Sequence, residues 1–139
     1  MKNVLNACVR VINDSQIKFE ENGRKIIFQN PNRLDYKAVQ VDGCAITTGI
    51  RCDKLLTSYD EHSECFVELK GNDIGHAIKQ LETTITRIGE YTDNRHSYVI
   101  CSKVAPALNT TVQKAKKTFK KEYHSELVVK GICLSVNLR

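Results

Sequence analysis

Asp53, Glu68 and Lys70 are the side chains whose types and spacing bear most directly on chemistry. All three fall in CDKLLTSYDEHSECFVELKGNDIGHAIKQLE, residues 52–82, with Asp53 on one apolar run and Glu68-Leu69-Lys70 closing the next. Side chains two apart on a strand point the same way, so Glu68 and Lys70 are expected to share a face, and a neighbouring strand would bring Asp53 beside them. Two carboxylates and an ammonium at one sheet edge suit a Mg²⁺ ion and a reacting phosphate. Phosphodiester cleavage needs a hydroxide aimed in line with the leaving oxygen, and relief of the charge building on the phosphorus oxygens. Carboxylates holding one or two Mg²⁺ ions supply this. In this reading Asp53 bridges the metal, Glu68 is the second carboxylate, the Leu69 carbonyl is a further ligand, and Lys70 positions the water. Val67 and Leu69 are then expected on the opposite, buried face.

Acid-x-Lys alone discriminates little, and it recurs here as Asp35-Tyr36-Lys37, after Pro31-Asn32-Arg33 and without an upstream strand acid. The plain alternative for Glu68-x-Lys70 is a solvated cross-strand salt bridge, worth under about 1 kcal/mol. Context separates the two. Glu68 and Lys70 end an apolar strand, Asp53 sits fifteen residues before Glu68, and Gly71 lets the chain turn into a helix.

Several elements must position these residues. Residues 2–13 carry Val4, Leu5, Cys8, Val9 and Ile12 at helical spacing. Residues 16–20 and 24–29 flank Glu21-Asn22-Gly23, a hairpin signal because Asn and Gly tolerate positive φ. Asn30-Pro31-Asn32 breaks the pattern, and residues 36–41, 51–58 and 65–70 then read as an antiparallel meander. The first of these strands either turns at Asp42-Gly43, the favoured reading, or continues through residues 44–47. Asn72 or Asp73 caps a helix whose Ile74, Ala77, Ile78, Leu81, Ile85 and Ile88 form one stripe ending near Gly89. Residues 98–104 read as a strand. Asn109 caps a helix with Val112, Ala115 and Phe119 inward, and ELVVKGICLSV reads as a final strand. Helix, three strands, helix, strand is a mixed α/β arrangement with extra elements at both ends.

Cys52-Asp53 followed by Phe66-Val67-Glu68-Leu69-Lys70-Gly71 resembles the PD-(D/E)XK nuclease superfamily, over residues 36–104. The resemblance implies a restriction-endonuclease-like fold: a mixed β-sheet flanked by helices, an αβββαβ core, here with an added N-terminal hairpin and a C-terminal helix and strand, in a single domain over 1–139. It implies Mg²⁺ dependence, with Mn²⁺ able to substitute, and hydrolysis of DNA phosphodiesters, with Asp53, Glu68 and Lys70 as the carried-over residues. Cys52 stands where the motif's name has proline. Residues 2–13 hold no glutamate where many members place one on the first helix, and Glu20 or Glu21 is the nearest substitute. Family members often place a polar residue of the following helix near the site, and Gln80 occupies that position, with a partly exposed helix glutamine as the plain reading. Asp42 and Arg51 are secondary candidates, as a cleft acid or turn residue and as a DNA contact or strand-edge residue. The superfamily works in bacterial and phage defence, mobile elements and repair.

The formal charge is +5, and KAKKTFKK, residues 114–121, carries five lysines: Lys114, Lys116, Lys117, Lys120 and Lys121. Such a cluster suits a polyanion such as DNA or is simply a solvated helix face. Six cysteines lie far apart with no C-x-x-C pair, which argues against structural zinc and suggests buried thiols. The four histidines are scattered among polar residues and read as surface groups. No run of about 18 apolar residues appears, and the N-terminus does not read as a signal peptide, so the expectation is a cytoplasmic protein without a membrane span. A homodimer is a reasonable way to cut both strands, and targeting would come from loops or a partner protein. Two other functions fit these residues: a non-catalytic nucleic-acid-binding or complex-forming subunit of the same fold, and an interaction protein whose three charges form only a salt bridge.

Overall fold

The Asn22-Gly23 pair turns the chain with φ of 50° and 81°, joining β2 (Gln16–Glu21) to β3 (Arg24–Gln29) as the hairpin its sequence suggests. In this computed structural model, which describes residues 1–71, 73–102 and 110–138, that hairpin belongs to a small second sheet. The larger sheet has the order β1-β4-β5-β6-β7-β8. Its strands are β1 (Val9–Ile12), β4 (Tyr36–Gln40), β5 (Lys54–Ser58), β6 (Glu64–Gly71), β7 (Arg95–Cys101) and β8 (Ser125–Gly131). Neighbours from β1 through β6 run antiparallel, whereas β6, β7 and β8 are parallel. Parallel neighbours need crossovers, supplied by α1 (Ile74–Ile88) between β6 and β7 and α2 (Thr110–Glu122) between β7 and β8. The architecture is therefore mixed α/β, with two helices flanking the sheet.

Two apolar layers result. Phe66, Leu55 and Val99 pack under Leu81 and Ile85 of α1 and Phe119 of α2. Leu56, Val67, Leu69 and Ile100 pack on Ile17 and Phe28 of the second sheet. Along β6 the alternation is plain: Cys65, Val67 and Leu69 face the second sheet and Phe66 faces the helices. Glu64 shares the Phe66 parity, and its carboxylate meets Arg95 at 2.9 Å, both residues buried. The stripe of α1 is inside as expected, with Ile74 only half-buried, and Asp73 caps the helix by accepting the His76 N–H at 3.0 Å. Val112, Ala115 and Phe119 of α2 are buried while its five lysines are exposed. Asn72, Asn109 and residues 103–104 lie outside the described residues.

Four expectations change. Residues 2–13 form no α-helix: one 3₁₀ turn at Asn6–Cys8 leads into β1, which pairs with Tyr36–Val39. The spacing of Val4, Cys8 and Ile12 fits a helix, but Val9, Val11 and Ile12 are β-branched, and the run they dominate pairs with the open edge of β4. Cys8 and Cys44 are not thiols but a disulfide with Cα atoms 5.6 Å apart. The pairing of β1 with β4 and the Asp42-Gly43 turn bring together residues 36 apart in sequence. Cys52, Cys65 and Cys101 are buried free thiols and Cys133 is half-buried. The terminal ELVVKGICLSV run is two strands: at Ile132, φ 68°, the chain leaves β8 and enters β9 (Cys133–Asn137), which joins β3 in parallel in the other sheet. Finally, β7 begins at Arg95, ahead of the expected start at Tyr98, and β5 begins at Lys54, just after Asp53.

Candidate active site

Continuing the β5–β6 register of Lys54 opposite Val67 by one residue sets Asp53 across from Glu68. Asp53 is held there on all sides. Its N–H donates to the Val67 carbonyl at 3.1 Å, and its own carbonyl accepts from Val41 and Asp42 at 3.1 and 3.3 Å. Its Oδ2 accepts the Leu69 N–H at 2.7 Å. The residue is 4% exposed and Glu68 is 0% exposed. Glu68 shares the Phe66 parity and so lies on the helix side of the sheet, whereas Leu69 is fully buried toward the second sheet, as expected with Val67.

Burial pushes the Cys52 thiol up to about 12, and the negative charges of Glu68 and Asp53 add to that shift. A neutral thiol thus occupies the place before the aspartate.

Helix α1 fastens the approach to Asp53. Thr84, fully buried, accepts the Cys52 N–H at 2.8 Å and donates to the Gln80 carbonyl at 2.7 Å. The Gln80 side-chain amide donates to the Arg51 carbonyl at 3.0 Å, so its donor is engaged in holding the backbone two residues ahead of Asp53. Arg51 in turn pairs with Asp42 at 2.8 Å and donates to the Gly49 carbonyl, which leaves Asp42 a turn residue neutralised by Arg51. The role of Thr84 escaped the sequence reading. Its signal was a hydroxyl on the otherwise apolar stripe of α1, one turn after Gln80.

Lys70 lies in β6, and its side chain lies outside the described residues. The β6–β7 register runs Glu68 opposite Val99 and Gly71 opposite Cys101, so one extra residue is inserted between them. This irregularity breaks the regular β6–β7 ladder at the end of the strand.

The donor chemistry at this point is two carboxylates with the Leu69 main chain alongside. Mg²⁺ is often held by one or two carboxylates with water and substrate phosphate completing its octahedron, so this set fits a hard divalent cation. Among the described residues, no three His, Cys, Asp or Glu side chains converge as a metal-binding group. The histidines are exposed at 62, 76 and 124 and half-buried at 96, as surface groups would be. Lys114, Lys116, Lys117, Lys120 and Lys121 are carried by α2, a crossover of the parallel half of the sheet, rather than by β5 or β6. No helix among the described residues is long and apolar enough to cross a membrane.

Comparison of the chain with protein-family models, with curated proteins and with solved structures gave no match.

Proposed function

We propose that this chain is a metal-dependent nuclease of the restriction-endonuclease-like, PD-(D/E)XK class, acting on DNA phosphodiesters. The observation that carries the reading is the pairing of Asp53 and Glu68 across the β5–β6 register at the end of the sheet where the chain turns into α1. The antiparallel β4-β5-β6 meander followed by α1 and a parallel β7 supports it, because that order is the βββαβ part of the core the resemblance implies, with β1 standing where its first helix was expected.

Each residue then has a task. Asp53 Oδ2 is committed to the Leu69 N–H, which fixes the carboxylate and leaves Oδ1 as its ligand atom. Glu68 is the second carboxylate, and the Leu69 carbonyl is the main-chain donor. Bound Mg²⁺ would supply Lewis-acid charge to the phosphodiester. Lys70 orients the attacking water. Gln80 and Thr84 are positioning residues, holding the backbone of Arg51 and Cys52 so that Asp53 faces Glu68.

The test is incubation of the purified protein with plasmid, linear duplex, single-stranded DNA and RNA, in Mg²⁺, Mn²⁺ or EDTA, with Asp53→Ala and Lys70→Ala alongside. Metal-dependent cleavage that falls at least about 10²-fold in both variants supports the reading. Cleavage indifferent to both substitutions overturns it.

The near-complete burial of Asp53 and Glu68 favours one competing reading, a non-catalytic nucleic-acid-binding or complex-forming subunit of the same fold. It predicts salt-sensitive DNA binding with no cleavage in either metal.

A further inference from the structure

We infer that the edge of the sheet beside α2 holds a single strand of nucleic acid, with Tyr91 as the platform for an unpaired base. This deepens the nuclease reading and rests on it for the identity of the substrate, but the binding itself needs neither Asp53 nor a metal.

The lysines of α2 are not equivalent. Lys116 and Lys120, one helical turn apart beside the buried Ala115 and Phe119, line a cleft of about 680 Å³ with His124, which follows the helix. Lys114, Lys117 and Lys121 are equally exposed but do not line it. At one end of the row stands Tyr91, 86% exposed, its ring in a T-shaped contact with His124 at 5.8 Å between centroids. A tyrosine this open contributes nothing to a core, and its exposed ring can take a stacking partner.

Charge restricts what fits. Asp93 and Glu126 line the same cleft, as do His96, which pairs with Glu126 at 3.7 Å, and Arg95, which is spent on the buried Glu64. The two lysines are therefore the cleft's unspent cations, and they share it with carboxylates. One phosphate backbone can follow it, whereas a duplex would set its second phosphate row against negative charge. The open aromatic agrees, because only an unpaired base can stack on it, and stacking of this kind tolerates any sequence.

The direction of the row is informative too. α2 follows the end of β7, where Cys101 lies opposite Gly71, and finishes beside Ser125 at the start of β8. Going from Tyr91 through Lys120 to Lys116 thus leads toward the sheet end that carries Asp53 and Glu68. A helix of 13 residues covers about 20 Å of that path.

The experiment is fluorescence anisotropy of the full chain in EDTA, using a labelled single-stranded DNA, an RNA single strand and the matching DNA duplex, over a salt series. Tyr91→Ala should weaken binding of both single strands about tenfold, within the range for losing one base stack, and Tyr91→Phe should retain it. Lys116→Gln with Lys120→Gln should flatten the salt dependence of log K by about 1.4, two phosphate contacts on a single strand. The outer set, Lys114→Gln, Lys117→Gln and Lys121→Gln together, should leave the slope unchanged. Equal loss from the outer set, duplex binding as tight as single-strand binding, or full affinity in Tyr91→Ala overturns the inference. Asp53→Asn distinguishes this failure from failure of the nuclease reading. Binding by the wild type without any cleavage in Mg²⁺ sinks only the nuclease reading. Cleavage lost in Asp53→Asn, with binding untouched by Tyr91→Ala, sinks only the strand track.

Discussion

Asp53 and Leu69 are joined by a hydrogen bond from the Leu69 N–H to Oδ2, 2.7 Å long and wholly buried, that ties the entry of β5 to the bulge of β6. One atom pair therefore couples the shape of the strand end to the orientation of the carboxylate. A charged acceptor makes such a bond stronger than a neutral one.

Asp53→Asn separates the two roles, because its amide oxygen can still accept the Leu69 N–H while the negative charge is gone. Cleavage should fall at least about 10²-fold, and Glu68→Gln should do the same. Thermal unfolding of Asp53→Asn should be less affected than that of Asp53→Ala, which leaves a buried N–H without its acceptor at a cost of about 1–3 kcal/mol. Gel-based cleavage and melting curves on the same preparations check this. Equal melting temperatures for Asn and Ala would contradict the latch.

Metal should act on stability as well as on rate. A ligand at 100 times its dissociation constant stabilises the native state by about 2.7 kcal/mol if it binds only that state. Mg²⁺ and Mn²⁺ should each raise the melting temperature of the wild type, EDTA should reverse the rise, and Asp53→Asn should abolish it. Calorimetric scans with and without chelator measure the shift.

Thr84→Val keeps the volume and removes the hydroxyl that accepts the Cys52 N–H and donates to the Gln80 carbonyl. The stranded Cys52 N–H should cost about 1–3 kcal/mol in denaturant unfolding, with Thr84→Ser close to wild type. Cleavage should drop in Thr84→Val through misplacement of Asp53, and an unchanged rate constant would remove Thr84 from the positioning set.

Much of the frame that carries these residues was readable in advance, for local reasons. The α1 stripe from Ala77 to Ile88 repeats long enough to exclude a strand, and Asn22-Gly23 supplies both positive φ values of its turn. The nearness of Asp53 and Glu68 follows from a short connection between adjacent antiparallel strands. Other features depend on partners distant in sequence. Val9–Ile12 is a strand only because β4 offers an edge, and Cys8 meets Cys44 only once that pairing exists. The extra residue in β6 answers to the register of β7, so no local pattern announces the irregularity between Glu68 and Gly71.

Alkaline pH should destabilise the fold through two thiols. Burial pushes both Cys52 and Cys65 up to about 12, from an ordinary value of 9.0. Between these values the unfolded chain releases protons that the native state keeps, so stability falls as pH rises. With two such thiols the slope is about 2.7 kcal/mol per pH unit across that window, and below pH about 9 their contribution is fully present. Urea titrations at a series of alkaline pH values measure the slope, and Cys65→Ala should reduce it. A flat profile would show that neither thiol is shielded.

The parallel seam between β3 and β9 ties Lys25–Gln29 to Cys133–Asn137. During synthesis the hairpin therefore emerges long before the strand that completes its sheet, and β3 presents an open edge until the residues between Gln29 and Cys133 have been made. Such late, non-local closure slows folding and leaves an unpaired template for neighbouring chains. Crowded expression at high temperature should consequently yield inclusion bodies more readily than slow expression in the cold.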